Sequence, residues 1–322
     1  MSDFNIHIKG GLRGRFRLFT TNEHGDVTKD TGFFDNLITN AGLDQIGTYS
    51  PYNTNYNIPY IGTIAYVGTG NTAPAYTDTA LTAYLASSNY QSGGAFSTST
   101  YVPAGTNPGY IYWTATYIFP AGTATGTLAE VGVGELAGAS PGTKLLFSHA
   151  LIVDGSGNPT TITVLSTEQL NVVYELQLMI DPTVYTGTIT YNSVTYNLSW
   201  LPSNVNATYN GPISQTDLGT ATEWTTFLVW NGSIQGVTQQ PTGTSTGNGS
   251  APTLTSYVSG NYYITATWSG GINDWNLTGE ITAITLRSNL GFQYQIGISP
   301  AIPKTNYYSM TFTCTFSWNR YP

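Results

Sequence analysis

Two short stretches of the chain have residue types and spacings that bear on chemistry. Val67-Gly-Thr-Gly-Asn-Thr-Ala73 matches the pattern G-x-G-x-x-A, in which glycines let a backbone turn approach a pyrophosphate at the start of a helix. Pro74 follows at once, where that helix would have to begin. Without a helix N-terminus the pyrophosphate loses its donors, so the segment reads as a tight turn. Asp154-Gly-Ser-Gly-Asn158 spaces oxygen ligands as a calcium loop does. No acidic residue follows close enough to complete the shell, and Asp-Gly and Gly-Asn are common hairpin turns. His7, His24 and His149 show no metal-ligand spacing. The carboxylates Glu130, Glu135, Glu168, Glu175, Asp274 and Glu280 are scattered, and no G-x-S-x-G elbow occurs. The sequence therefore predicts no catalytic residue, no metal site and no cofactor, in a protein that is not an enzyme.

Two groups of residues remain as candidates for recognition. Five of the nine cations, Lys9, Arg13, Arg15, Arg17 and Lys29, fall in the first thirty residues. A basic N-terminal hairpin carrying Lys9, Arg13, Arg15 and Arg17 is a candidate docking element for an acidic partner surface, the alternative being a solvated strand face. Among the aromatics, Tyr185, Tyr191, Tyr196, Trp200, Trp224, Trp230 and Trp268 are dense in the second half, where most alternate with Thr and suit cores or subunit contacts. Trp275 lies between Asp274 and Asn276 in a predicted turn and is the candidate for an exposed aromatic that contacts a glycan.

These residues need a scaffold, and the composition says of what kind. The 322 residues suffice for two domains of ordinary size, and 40% are hydrophobic, with 24 Tyr and 7 Trp, so the chain can offset its conformational entropy. Only 8% are charged, against about 25% in an average soluble domain. Hydroxyl and amide groups cost less to desolvate than full charges, so such a surface suits lasting contacts with copies of itself and other proteins. The net charge of −8 argues against nucleic acid, which selects dense Lys and Arg. Cys314 is the single cysteine and lies in an apolar row, which excludes an intrachain disulfide. The start MSDFNIHIKG has no leader pattern and no run of 18 apolar residues occurs, which predicts synthesis in the cytosol and no membrane insertion.

Period-two alternation dominates and marks half-buried strands at 110–119, 145–153, 170–180, 188–198, 262–268 and 309–318. The turn at Asn192-Ser193 closes 188–198 into a hairpin. Helix is predicted only at Asn40–Ile46 and Asp78–Ala86, the second capped by Thr77 or Asp78. Two Gly/Asn/Thr/Pro segments, 49–59 and 236–252, read as exposed loops.

Trp113-Thr-Ala-Thr-Tyr117 echoes Ile264-Thr-Ala-Thr-Trp268, Glu130-Val131 echoes Glu280-Ile281, and Tyr66-Val-Gly-Thr-Gly70 echoes Leu228-Val-Trp-Asn-Gly232, all in the same order. Collinearity predicts an all-β fold of two tandem antiparallel β-sandwich domains, jelly-roll-like and related by internal duplication, divided near Asp181-Pro182 into 1–181 and 182–322. The alternative is that any two antiparallel sandwiches of similar size show such echoes.

Phe34-Asp-Asn-Leu-Ile-Thr-Asn-Ala-Gly-Leu-Asp44, Val67 to Pro74 with Thr77-Asp-Thr-Ala-Leu81, Glu130-Val-Gly-Val133, Pro159-Thr-Thr-Ile162 and Pro300-Ala-Ile-Pro-Lys304 together resemble recurrent stretches of tailed-bacteriophage virion structural proteins of the tail, collar or fibre type. The resemblance implies a late protein made in the host cytoplasm and located in the virion. Its partners would be itself, as a homo-oligomer, and other virion proteins. It carries no active-site residues across. The alternative is a receptor-binding fibre or spike protein that recognises a host-surface glycan through the second domain and the loop 236–252.

Overall fold

The computed structural model describes residues 4–48, 52–53, 58–59, 62–89, 96–98, 101–103, 108–134, 146–191, 193–205, 227–247, 252–287, 293–307 and 309–321. Glu135, Asn192 and Trp224, named above, lie outside them, as do residues 49–51, 54–57 and 248–251 of the two predicted loops.

The chain is almost all β because its side chains alternate between two faces of extended backbone. In the strand Met310–Arg320, Met310, Phe312, Cys314, Phe316 and Trp318 are buried, while the threonines between them are partly exposed. The outward threonines are not idle. Thr315 meets Thr265 at 2.9 Å and Thr313 meets Thr267 at 3.2 Å between the oxygens, a ladder of cross-strand hydroxyl pairs with the neighbouring strand Tyr263–Gly270. Gly109–Phe119 alternates in the same way from Ile111 to Phe119.

The largest sheet has nine strands. Its path runs Thr253–Leu254, Tyr263–Gly270, Met310–Arg320, Phe4–Thr21, Gln169–Ile180, Gly109–Phe119 and Phe96–Thr98, and the short strands Val27–Asp30 and Phe34–Asp35 also join Phe4–Thr21. All its pairings are antiparallel except one, in which Phe4–Leu12 runs parallel to Phe312–Arg320. A five-stranded sheet, ordered Leu37–Ile38, Leu146–Leu151, Glu130–Gly134, Ile64–Gly68 and Tyr84–Asn89, packs on one half of it. There the ring of Phe147 lies 6.5 Å from that of Tyr174, and Ser88 donates to the Ile118 carbonyl at 2.5 Å. A six-stranded sheet, ordered Tyr185–Tyr191, Val194–Ser203, Gln293–Ile302, Ile281–Arg287, Phe227–Trp230 and Ser245–Thr246, packs on the other half. Phe227 sits 5.4 Å from both Trp268 and Phe312. One contiguous apolar core contains Trp113, Tyr174 and Phe147 together with Phe227, Trp268 and Phe312. Each such ring, fully buried, contributes about 1.5–3 kcal/mol relative to exposure.

Part of the pairing pattern recurs in the two halves, whose flanking sheets have five and six strands. Gly109–Phe119 pairs with Gln169–Ile180, and Glu130–Gly134 lies between Ile64–Gly68 and Leu146–Leu151. Likewise Tyr263–Gly270 pairs with Met310–Arg320, and Ile281–Arg287 lies between Phe227–Trp230 and Gln293–Ile302. Asp181-Pro182 separates the two flanking sheets but not the central one, which crosses that point through the parallel pairing of Phe4–Leu12.

A second tie reinforces the crossing. The helix Asn40–Thr48 is capped by Thr39, whose hydroxyl accepts from the Gly42 N–H at 2.9 Å. Its Leu43 carbonyl accepts from Trp318 Nε1 at 2.8 Å, and Arg320 donates to Asn40 Oδ1 at 2.6 Å. The second predicted helix, Asp78–Ala86, does not form: a turn leads into the strand Tyr84–Asn89. Tertiary partners override the local preference. The Thr82 and Ala83 N–H groups donate instead to the Glu130 carboxylate at 3.0 and 2.6 Å. Of the predicted loops, Tyr52–Asn53 pairs with Ile58–Pro59, and the segment after Gly236 carries the short strand Ser245–Thr246.

Candidate functional site

The basic stripe is placed on a strand of the central sheet, but its charge is spent inside the chain. Arg13 makes a bidentate pair with Asp35 at 2.8 and 2.9 Å. Arg15 donates to Glu175 at 2.6 Å, and Arg17 pairs with Asp30 through Nε at 2.9 Å. Lys29 reaches both oxygens of Glu168 at 2.8 and 2.9 Å. The Leu165 N–H, Lys29 and the Thr28 hydroxyl together pull the Glu168 carboxyl down to about 2. Arg13, Arg15 and Arg17, expected as a docking element, hold neighbouring strands of their own sheet. Lys9 differs, since it is exposed and lines a cleft described below.

The G-x-G turn has an anion in it, supplied by the protein itself. A β-carbon at Gly68 or at Gly70 would come within 2.5 Å of Glu130 Oε1, and the Gly70 N–H donates to that oxygen at 3.1 Å. Glycine is needed for the close approach, as in a phosphate cradle, but the ligand is a buried carboxylate. His149 completes the arrangement, with Nε2 3.0 Å from Glu130 and Nδ1 2.8 Å from Asp78. Burial disfavours charge on His149, yet its hydrogen bonds to Glu130 and Asp78 outweigh that and raise its pKa. Burial likewise opposes ionisation of Glu130, but the His149 bond and the Ala83 and Thr82 N–H groups lower its pKa overall. The cluster ties the 69–83 segment to two strands of the five-stranded sheet. No sequence spacing joined residues 78, 130 and 149. The available signal was a lone Glu and a lone His, each inside an apolar strand.

The Asp154 turn is a hairpin turn, in which the carboxylate accepts from the Ser156 and Asn158 N–H groups at 2.8 and 3.0 Å. Trp275 does occupy a turn, with φ of 57°. It is only 3% exposed, however, and packs 4.6 Å from Phe227, so its expected role as a surface glycan contact is corrected. The indole folds back over Gly270, where a β-carbon would meet it at 2.5 Å.

Aromatics also gather elsewhere, around the exposed Tyr185. A cleft of about 740 Å³ lies where Phe4–Thr21 meets the six-stranded sheet, and its lining includes Lys9, Asp181, Tyr185, Trp200, Tyr294 and Tyr321. Tyr185 and Trp200 are direct cross-strand partners, stacked at 6.3 Å with 23° between their planes. Asp181 accepts from the Tyr185 hydroxyl at 2.5 Å and from the Thr183 N–H at 2.9 Å. Partial burial opposes its charge, but these bonds hold its pKa below the ordinary value. Burial and the neighbouring Lys9 lower the pKa of His7, which also lines the cleft and meets Ser317 Oγ at 3.0 Å.

No family model, no curated protein and no solved structure matches this chain. The geometry above is thus the ground for a functional reading. Among the described residues, no group of three or more His, Cys, Asp or Glu side chains could hold a metal ion, and no helix is long and apolar enough to cross a membrane.

Proposed function

We propose that the chain is a non-catalytic structural subunit that builds a virion tail, collar or fibre assembly by joining copies of itself and neighbouring proteins. One observation carries the assembly reading. The six-stranded sheet ends on Tyr185–Tyr191, and among the described residues no strand pairs with its outer side. An unpaired edge is a template for another strand, and folded proteins that must stay apart protect it with Lys, Pro or a bulge. From Thr183 to Ser203 this hairpin has no charged residue, and Thr186, Thr188 and Thr190 are exposed along the edge strand. Backbone hydrogen bonds across such an edge can lock two subunits together at little cost in charge desolvation. The low share of charged residues, 8%, supports the same reading, because it leaves a surface rich in hydroxyl and amide groups as the contact material. The virion assignment rests on the sequence resemblance.

Light scattering of the purified protein tests the assembly reading. The expected mass is an integral multiple of 34.6 kDa, returning to the single-chain value in the double variant Thr188→Lys, Thr190→Lys. A wild-type protein that stays at one chain mass at micromolar concentration would sink it. Presence of the protein in purified particles, read by mass spectrometry, tests the virion assignment separately.

A further inference from the structure

We infer that the cleft between Phe4–Thr21 and the six-stranded sheet binds an uncharged oligosaccharide, with pyranose rings on the Tyr185–Trp200 platform and hydroxyls held by Asp181 and Lys9. This goes beyond a scaffold role and rests on different observations.

The size is that of a small-molecule site, within the range of about 300–1,000 Å³. The lining is right for a sugar. Sugar rings present apolar C–H faces, which suit the negative face of an aromatic ring, and hydroxyl edges, which need both donors and acceptors. Trp200 and Tyr185 supply the faces. Trp200 lies across Gly187, where a β-carbon would stand 3.3 Å from the indole, so the glycine leaves room for the ring to lie flat on the sheet. Asp181 and Lys9 supply a strong acceptor and a strong donor at the rim. Asp181 is held by the Tyr185 hydroxyl and by Thr183, and an exposed carboxylate with about four acceptor positions can also take a ligand hydroxyl. The internal bonds also fix the carboxylate and the Tyr185 ring before any ligand arrives, which lowers the ordering cost of binding.

The charges select among ligands. One carboxylate and one ammonium face the cleft, so a uronic acid or phosphate would gain at Lys9 and lose at Asp181, whereas a neutral saccharide uses both. Hydrolysis is not part of the proposal. Glycosidic cleavage takes two carboxyl groups flanking the bond, and Asp181 is the one carboxylate among the lining residues.

Titration calorimetry with chitotriose, maltotriose and lactotriose as probes tests this on the full chain. Saturable binding of at least one probe to the wild type is expected, with a loss of tenfold or more in Trp200→Ala and in Asp181→Asn. Lys9→Ala, which removes an exposed side chain, is expected to weaken binding severalfold while leaving the melting temperature unchanged, which separates recognition from folding. The edge variant Thr188→Lys, Thr190→Lys is expected to bind as the wild type does, so failure of the assembly reading and failure of this one are distinguishable. Heat signals absent from all three probes, or binding that survives both Trp200→Ala and Lys9→Ala, would overturn the assignment.

Discussion

Tyr257 donates its hydroxyl to Asp44 at 2.6 Å across 213 residues of sequence. The same carboxylate accepts from Ser259 Oγ and from the Gly260 N–H, each at 2.7 Å. The helix of the first half is thereby clasped to a loop of the second.

Removing the acceptor tests whether the halves unfold together. Hydrogen bonds to a charged group contribute about 1.5–3 kcal/mol, so Asp44→Ala is expected to cost about 2–3 kcal/mol while unfolding stays a single transition. Urea titrations followed by tryptophan fluorescence and by circular dichroism should coincide. Two separated transitions would mean that the shared sheet does not couple the halves.

The arginines should differ in weight. Glu175 has a side chain only 6% exposed, so Arg15→Ala leaves a nearly buried carboxylate without its cation, held by Gln177 at 2.7 Å, and is expected to cost about 2 kcal/mol. The Arg13–Asp35 and Arg17–Asp30 pairs are more exposed, and alanine at either arginine is expected to cost under about 1 kcal/mol. Equal losses at all three positions, measured by chemical denaturation, would contradict the burial argument.

The His149 cluster makes stability depend on pH in a defined direction. The His149 pKa is raised from 6.5, so its contribution is complete below 6.5 and is lost as pH rises through the folded value. Glu130 is lowered from 4.5, so its contribution is complete above 4.5 and is lost as pH falls below that. The cluster is thus most stabilising between these ordinary values. His149→Gln is expected to flatten the alkaline arm of the stability profile, which melting temperatures from pH 5 to 9 would read.

At acid pH, Glu168 should dominate. Its carboxyl sits at about 2 against an ordinary 4.5, so stability present above 4.5 drains away as pH falls toward 2. Glu168→Gln is expected to lower stability at neutral pH and to lose less of it on acidification. A parallel offset across the whole range would show that the carboxylate charge is immaterial.

Trp275→Ala should behave as a core truncation, costing about 3–5 kcal/mol, with no selective effect on binding of any saccharide that the folded variant still meets. A stable variant would contradict the burial seen against Phe227.

The fold was largely legible because alternation is a local signal. Met310 to Trp318 announces its own strand and its own buried face, and the echoing stretches 113–117 and 264–268 each fall within a strand of the central sheet. What alternation does not carry is pairing partner. Nothing in Phe4–Leu12 indicates a parallel neighbour three hundred residues away, and nothing near Arg15 points to Glu175. Sites were less legible for the same reason. Trp275 looks exposed beside Asp274 and Asn276, but the left-handed turn folds its indole inward. Trp200 and Tyr185 look like ordinary alternating strand residues until the hairpin sets them opposite one another.

The parallel pairing of Phe4–Leu12 with Phe312–Arg320 also bears on how the molecule comes into being. During synthesis Phe4–Leu12 emerges with one of its two edges committed to Phe312–Arg320, a segment made only after all of residues 13–311. That edge has to stay unsatisfied while the intervening chain folds, so the central sheet can close only once Phe312–Arg320 has been made. Until then the newborn chain exposes the surface best suited to pairing with a stranger.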